Sequence, residues 1–298
     1  MAYRHILHML SPLKHMSPFD SNMAVDAGYD VVLPYTGVAL DEVAGLVQDA
    51  IFSRGPKGAK ATGLFLSGKS AELALDMLEA AKAAMVPPFE CSVFADPAGS
   101  FTTAAAMVAK AERHLVATHG VALAGRRTLV FGGTGVVGFA AGVIAAGEGA
   151  EVTLIGHDGI TRVARLAQTA QRRFGVHLAA ADGSSADQKT TLLAEAAVVF
   201  AAGRAGVQIL DAQQIGSARS LLIAADVNAV PPAGIAGIGV MDDGVAIGGG
   251  TALGIGALAI GVIKSRVQGA LFRRMIEADR PLYLDFRDAF RLARELLA

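Results

Sequence analysis

The sequence predicts an α/β protein of two domains, each built on a parallel sheet covered by helices. Three observations carry that expectation. The chain has 298 residues, 53% of them hydrophobic, which at roughly 150 residues per domain is enough for about two cores. Short β-branched or aromatic runs alternate with helical patterns along its whole length. The alternation then restarts at Thr128 with a glycine-rich turn between a strand and a helix.

Residues 4–9 read as a strand, and Ser17-Pro18-Phe19-Asp20 supplies an N-cap, a proline at the first helical position and an acid in the first turn. A second strand at 30–34 leads to an amphipathic segment over 40–52. A third strand at 62–66 leads to an Ala/Leu-rich helix over 70–85, and a fourth follows at 89–94. This β-α-β-α order implies parallel strands with right-handed crossovers, giving a three-layer α/β domain of roughly a hundred residues. A long alanine-rich helix from Ser100 to about Ala117 bridges to the second domain. There Thr128-Leu129-Val130-Phe131 is a strand, residues 132–138 a turn, and a Gly/Ala-rich helix leads to a strand at 151–155, closing a βαβ unit of about thirty residues. Further strands are expected at 176–180, 198–202 and 221–225.

Lys and Arg total 26 against 27 Asp and Glu, so no global basic field exists to hold nucleic-acid phosphates. The apolar content excludes a disordered chain. The single cysteine, Cys91, rules out an internal disulfide or a cysteine-rich metal cluster and fits a reducing cytoplasm. The first ten residues are interrupted by His5 and His8 and lack the apolar run of a secretory leader. Residues 245–263 are uncharged and long enough to span a bilayer, but Gly248-Gly249-Gly250-Thr251 disfavours helix and no aromatic belt flanks them, so they read as buried loop and helix.

The strongest chemical signal is Gly133-Thr134-Gly135-Val136-Val137-Gly138. Placed where a strand ends and a helix begins, Gly133 makes the tight turn, Gly135 admits a pyrophosphate to the backbone, and Gly138 lets helix and strand pack closely. The helix start then offers free N–H groups to the phosphates. The preceding strand, following helix and second strand are all in place, so the second domain reads as a Rossmann-type, doubly wound nucleotide domain. Ala202 and Gly203, at the end of the strand expected at 198–202, are expected in the same cofactor site. At the end of the second strand, Gly156-His157-Asp158 with Arg162 leaves the dinucleotide open: Asp158 suits the ribose of NAD, while His157 and Arg162 suit the 2′-phosphate of NADP. Asp158 as an N-cap is the bland alternative.

Catalytic constellations are sparse. No nucleophile elbow, His-Glu-x-x-His or ligand-spaced histidine cluster occurs, so no metal is expected. Polar groups instead gather at strand ends, where open sheets place ligands: Asp20, Gly68-Lys69, Asp96 with Ser100, Thr102 and Thr103, Gly203-Arg204, and Asp226-Val227-Asn228, each of which also reads as helix capping or turn chemistry.

Asp96-Pro97-Ala98-Gly99-Ser100-Phe101-Thr102-Thr103-Ala104-Ala105-Ala106, the 133–138 loop, Asp226-Val227-Asn228-Ala229-Val230-Pro231-Pro232 and Ala252-Leu253-Gly254-Ile255-Gly256 together resemble the NAD(P)-dependent methylene-tetrahydromethanopterin dehydrogenases of methylotrophic bacteria. The resemblance implies a pterin domain over 1–104 with 268–298 packing back on it, and a nucleotide domain over 105–267. It implies oxidation of methylene-tetrahydromethanopterin to the methenyl form with NAD or NADP as acceptor, within formaldehyde oxidation, by a cytoplasmic homo-oligomer. Asp20, Asp96, Ser100, Thr102 and Asn228 are then expected to bind the pterin across an interdomain cleft. Strictly NADP-dependent relatives carry Arg where this chain has His157, and a lysine where it has Ala259 or Gly261. Lys264, about one turn on, is left as an orienting residue or as a lysine at the edge of an apolar helix.

The chemistry suits the sparse site. Hydride loss from a carbon between two nitrogens leaves a cation that both lone pairs stabilise, so no proton has to move and orientation is the task. A methylene-tetrahydrofolate dehydrogenase and a non-catalytic NAD(P) sensor are the alternatives.

Overall fold

Strand β1 (Ile6–Ser11) buries Leu7, Met9 and Leu10 almost completely, and this ladder organises the first sheet of the computed structural model, which describes residues 3–298. β1 pairs in parallel with β2 (Val31–Thr36) on one side and β3 (Thr62–Leu66) on the other, and β4 (Ser92–Ala95) follows β3. A two-residue strand near the C-terminus, Tyr283–Leu284, adds to β4, also in parallel. Helices α1 (Pro18–Asp26), α2 (Val43–Phe52), α3 (Gly55–Lys60) and α4 (Ala71–Ala83) make the connections. Ser17 occupies the N-cap of α1 as expected, although its side chain makes no capping bond. Ser70 does cap α4, accepting from Leu73 N–H at 3.2 Å.

The differences from expectation have local causes. The fourth strand starts at Ser92 rather than 89 because Val86 and Phe89 exchange backbone bonds in a tight turn around Pro87-Pro88, where Pro88 has no N–H to give a ladder. Helix α3 escapes sequence reading because two of its residues, Gly55 and Gly58, and Pro56 are poor helix formers.

Helix α5 (Ser100–His119) is buried through Ala104, Ala105, Ala106, Met107 and Val108, small side chains that allow close packing. After it come β5 (Arg127–Phe131), α6 (Val136–Gly147), β6 (Glu151–Gly156), α7 (Thr161–Phe174), β7 (Ala179–Asp182), α8 (Ala186–Leu193), β8 (Val198–Ala201), α9 (Ala212–Ser217) and β9 (Ile223–Asp226). A hairpin of β10 (Asp243–Ala246) and β11 (Leu253–Ile255) then precedes α10 (Ala257–Glu277), β12 (Tyr283–Leu284) and α11 (Phe286–Leu297). The second sheet is ordered β10-β11-β9-β8-β5-β6-β7, antiparallel only at β10. Counted from β5, its parallel strands lie third, second, first, fourth, fifth, sixth, the doubly wound order.

The hairpin corrects the reading of 245–263 as wholly buried: Val245 is exposed, as are Leu258 and Val262 on α10. Among the described residues no helix is long and apolar enough to cross a membrane.

The chain divides into two compact units. The first runs up to Thr102 and includes Ser265–Leu292; the second is Thr103–Lys264 with Ala293–Ala298. In the first, Phe272 from α10 packs tilted against Phe65 and edge-to-face against Phe94, each with ring centroids 5.4 Å apart, and Phe286 meets Phe101 edge-on. Arg294 bonds Glu112 on α5 through its Nε at 2.6 Å and its Nη2 at 2.5 Å, and Glu148 beyond α6 at 2.5 Å, which ties the last turn into the second unit. Arg294→Ala is expected to cost about 1–2 kcal/mol, since the forked pair is strong but partly screened. Thermal melting, shifted down by roughly 2–8 °C, measures it.

Candidate functional site

The turn between β5 and α6 is made of glycines whose tasks are distributed differently from the expected pattern. Gly132, not Gly133, makes the sharp turn: its φ is +76°, and a Cβ there would run into the Ala202 carbonyl oxygen. Gly133 faces β6, where a Cβ would sit 3.0 Å from Leu154 Cβ. Gly138 serves close packing, since a Cβ would strike the Gly132 carbonyl oxygen and lie 3.0 Å from Gly133 Cα. Gly135 is the N-cap of α6 with ordinary extended values, φ −83° and ψ 164°.

At the carboxyl ends of β5, β6 and β8 lies a cavity of about 440 Å³. Phe131, Gly132, Thr134 and Gly135 form one part of its lining; Ile155, Gly156 and His157 another; Gly183, Lys189, Ala202, Gly203, Arg204 and residues 207–209 complete it. β5 and β8 are the neighbours between which the strand order reverses, so the cavity occupies the switch point of the sheet, where open α/β sheets take their ligands. No carboxylate lines it, and its basic members are His157, Lys189 and Arg204. With the N–H groups at the start of α6, this lining fits a ligand bearing several phosphate charges.

Of the expected cofactor residues, Thr134, Gly135, His157, Ala202 and Gly203 line the cavity. Gly133 and Gly138 hold the turn against its neighbours, Val136 and Val137 open α6, and Asp158 and Arg162 are not among the lining residues. Asp158 accepts from Arg162 at 3.0 Å and lies 3.8 Å from His157 Nδ1. The Arg162 hydrogen bond holds its carboxyl below the usual range. Asp158 is not an N-cap: Ile160 takes that position in α7. Sequence reading missed Lys189, Val207, Gln208 and Ile209, which lie outside any glycine motif.

In the first unit, Asp20 sits in the first turn of α1, is 1% exposed, and accepts from Gln268 Nε2 at 2.8 Å. Asp96 is fully buried and turned inward. Its Oδ1 accepts from the N–H groups of Phe101 (2.8 Å) and Thr102 (3.2 Å), and its Oδ2 from Thr102 Oγ1 (2.7 Å). The pair holds the start of α5, where Ser100 is half-buried. All three elements lie at the carboxyl side of their sheet, following β1 or β4.

Asn228, expected on the substrate, makes its side-chain hydrogen bonds within the second unit. Its Oδ1 accepts from Gly206 (3.1 Å) and Val230 (3.0 Å), and its Nδ2 donates to the Pro232 carbonyl (2.7 Å). Every polar atom of its amide group is engaged in joining the cavity loop after β8 to the loop after β9. Asp226 supports the same loop by accepting from Asn228 N–H and Ile235 N–H, and burial pushes its carboxyl upward. Lys264 is 8% exposed on α10, so it is not a solvated lysine. Among the described residues no three His, Cys, Asp or Glu side chains gather as metal ligands.

A doubly wound parallel sheet with a glycine turn and a carboxylate-free cavity at its switch point defines a Rossmann-type, dinucleotide-binding protein. Comparison with known proteins narrows the class. A family described as methylene-tetrahydromethanopterin dehydrogenase, N-terminal, matches residues 18–98. The NAD(P)-dependent methylenetetrahydromethanopterin dehydrogenase of Methylorubrum extorquens is 55% identical over 98% of this chain and 99% of its own length. The chain belongs to that family. A bifunctional protein of the same organism, MdtA, is 34% identical over 94% of each chain. Among solved structures, shikimate 5-dehydrogenase from Listeria monocytogenes, in complex with shikimate and NAD, aligns at 13% identity with a TM-score of 0.52 over 99% of this chain and 96% of that one. That likeness concerns the fold alone.

Proposed function

We propose that this chain transfers a hydride from methylene-tetrahydromethanopterin to NAD or NADP, leaving the methenyl form. Family membership supports the reaction, and the switch-point cavity is the observation that carries the placement of the dinucleotide. The bound nicotinamide supplies the hydride acceptor.

The residues of the chain have a limited task in this reading, because the methenyl cation forms without proton transfer. The glycine turn and the N-terminus of α6 hold the pyrophosphate, while Ala202, Gly203 and the Asn228-stapled loop shape the opposite wall. Asp20 and Ser100, at the carboxyl side of the first sheet, bind and orient the pterin. Asp96 and Thr102 fix the helix start that presents Ser100, and Lys264 takes an orienting role from α10. The assay is NAD(P)H formation with methylene-tetrahydromethanopterin against methylene-tetrahydrofolate; turnover of the folate alone, or of neither pterin, overturns the reading.

The same reading includes a cytoplasmic homo-oligomer. The apolar Met241, 65% exposed, and Leu258 and Val262, one turn apart on the open face of α10, support self-association. Sedimentation velocity checks it.

Cofactor choice gives a further expectation. Removing the carboxylate in Asp158→Ser frees Arg162 and takes a negative charge from the end of β6, so the ratio of kcat/KM for NADP over NAD should rise. Because Asp158 is well exposed, screening limits the gain to about three- to tenfold. Steady-state kinetics with each dinucleotide measures it.

A further inference from the structure

Lys189 carries a charge that the fold does not use. It is half-buried on α8, and its ammonium donates to the Ile209 carbonyl oxygen at 2.8 Å. Among the described residues no carboxylate pairs with it. A neutral carbonyl satisfies one of three ammonium donors and leaves the charge uncompensated. Lys189 and His157 both line the switch-point cavity, and no acid does. His157 follows directly on β6, whose end is where a doubly wound domain meets the adenine ribose. The one acid beside it, Asp158, is engaged by Arg162.

We propose that Lys189, with His157, forms the subsite for the 2′-phosphate of NADP, and that Lys189 is the residue that sets this chain's affinity for NADP relative to NAD. The proposal rests on the dinucleotide occupying that cavity. The Ile209 bond holds the ammonium at the cavity wall, and a 2′-phosphate supplies the counter-charge that the protein does not. A compact ammonium on a flexible stem can bind a phosphate while keeping one donor on the carbonyl.

The test is isothermal titration of the full-length protein and its Lys189→Gln variant with NAD, NADP, 5′-AMP and 2′,5′-ADP. Glutamine keeps a donor for the Ile209 carbonyl and removes the charge, so the cavity wall is preserved. The dissociation constants of NADP and 2′,5′-ADP are expected to rise about 10- to 100-fold, the range of a charge-assisted bond, while those of NAD and 5′-AMP stay within about threefold. Parallel weakening of NAD and NADP would make Lys189 a wall residue and overturn the subsite, as would no change in either. Wild-type protein that binds none of the four ligands would remove the cavity assignment itself, a result distinct from failure of the subsite. Lys189→Arg, which keeps the charge, should retain most of the NADP affinity.

Discussion

Gly135→Val should raise the dissociation constants of NAD and NADP together by at least about 100-fold while the protein stays folded. The backbone at Gly135 has φ −83° and ψ 164°, a region in which valine is at ease. A Cβ there would lie 3.3 Å from the Gly132 carbonyl oxygen and 3.8 Å from that of Ala202, contacts that small adjustments relieve. The branched side chain would instead fill the cavity wall at the start of α6 and cover the N–H groups that face a pyrophosphate. A loss of 100-fold is about 2.7 kcal/mol, in the range expected when several charge-assisted bonds to phosphate are blocked. Fluorescence titration with both dinucleotides, beside a melting curve, is the measurement. Unchanged affinity would remove the glycine turn from the cofactor site, and unfolding would show that the position serves packing.

Asp96→Ala should destabilise the protein by about 2–4 kcal/mol, lowering its melting temperature by roughly 5–15 °C. Truncation strands the N–H groups of Phe101 and Thr102, which the carboxylate accepts from at 2.8 and 3.2 Å in a fully buried place, and leaves the Thr102 hydroxyl only its 3.2 Å bond to the Gly99 carbonyl. Asp96→Asn should recover most of the loss, because the amide oxygen can still accept from both backbone groups and its nitrogen can donate to the hydroxyl. Differential scanning calorimetry of both variants separates the cap from a substrate contact: a normal melting temperature with reduced kcat/KM in Asp96→Ala would make Asp96 a ligand of the pterin.

These two residues show how much of the site was legible in the sequence. The strand, glycine turn and helix around Gly135 announce themselves because each needs its residue types locally: β-branched residues for the strand, no side chain for the turn, Ala and Gly for the buried helix. Within that motif the sharp turn fell one residue early, on Gly132, since the spacing of glycines does not reveal which of them takes positive φ. Asp96 and Asn228 were visible as polar groups at strand ends, but a side chain aimed at a ligand and one folded back onto its own loop share the same sequence. Asn228 makes three bonds to its neighbouring loops, which the sequence does not reveal. Lys189 left no trace because it lies in an ordinary helical pattern, and its place beside the cavity depends on how α8 crosses the sheet. The β10–β11 hairpin was hidden by its own glycines, which read as loop until the ladder partner of β9 is known.

The composition of the first unit carries a consequence for synthesis of the chain. Its sheet needs β12, and its aromatic centre needs Phe272 and Phe286, yet these lie more than 160 residues beyond β4 in sequence. A ribosome delivers the amino-terminal four strands early and the elements that complete them last. At roughly 5–20 residues per second, the interval is on the order of ten to forty seconds. Throughout that time the edge of β4 and the faces of Phe65, Phe94 and Phe101 are bare. The strands of the second sheet, contiguous from β5 to β11, can pair in the meantime, so the sheet begun first is completed after the other. A nascent chain released before Leu284 would therefore present an open sheet edge and an uncovered aromatic cluster, the kind of surface that chaperones hold.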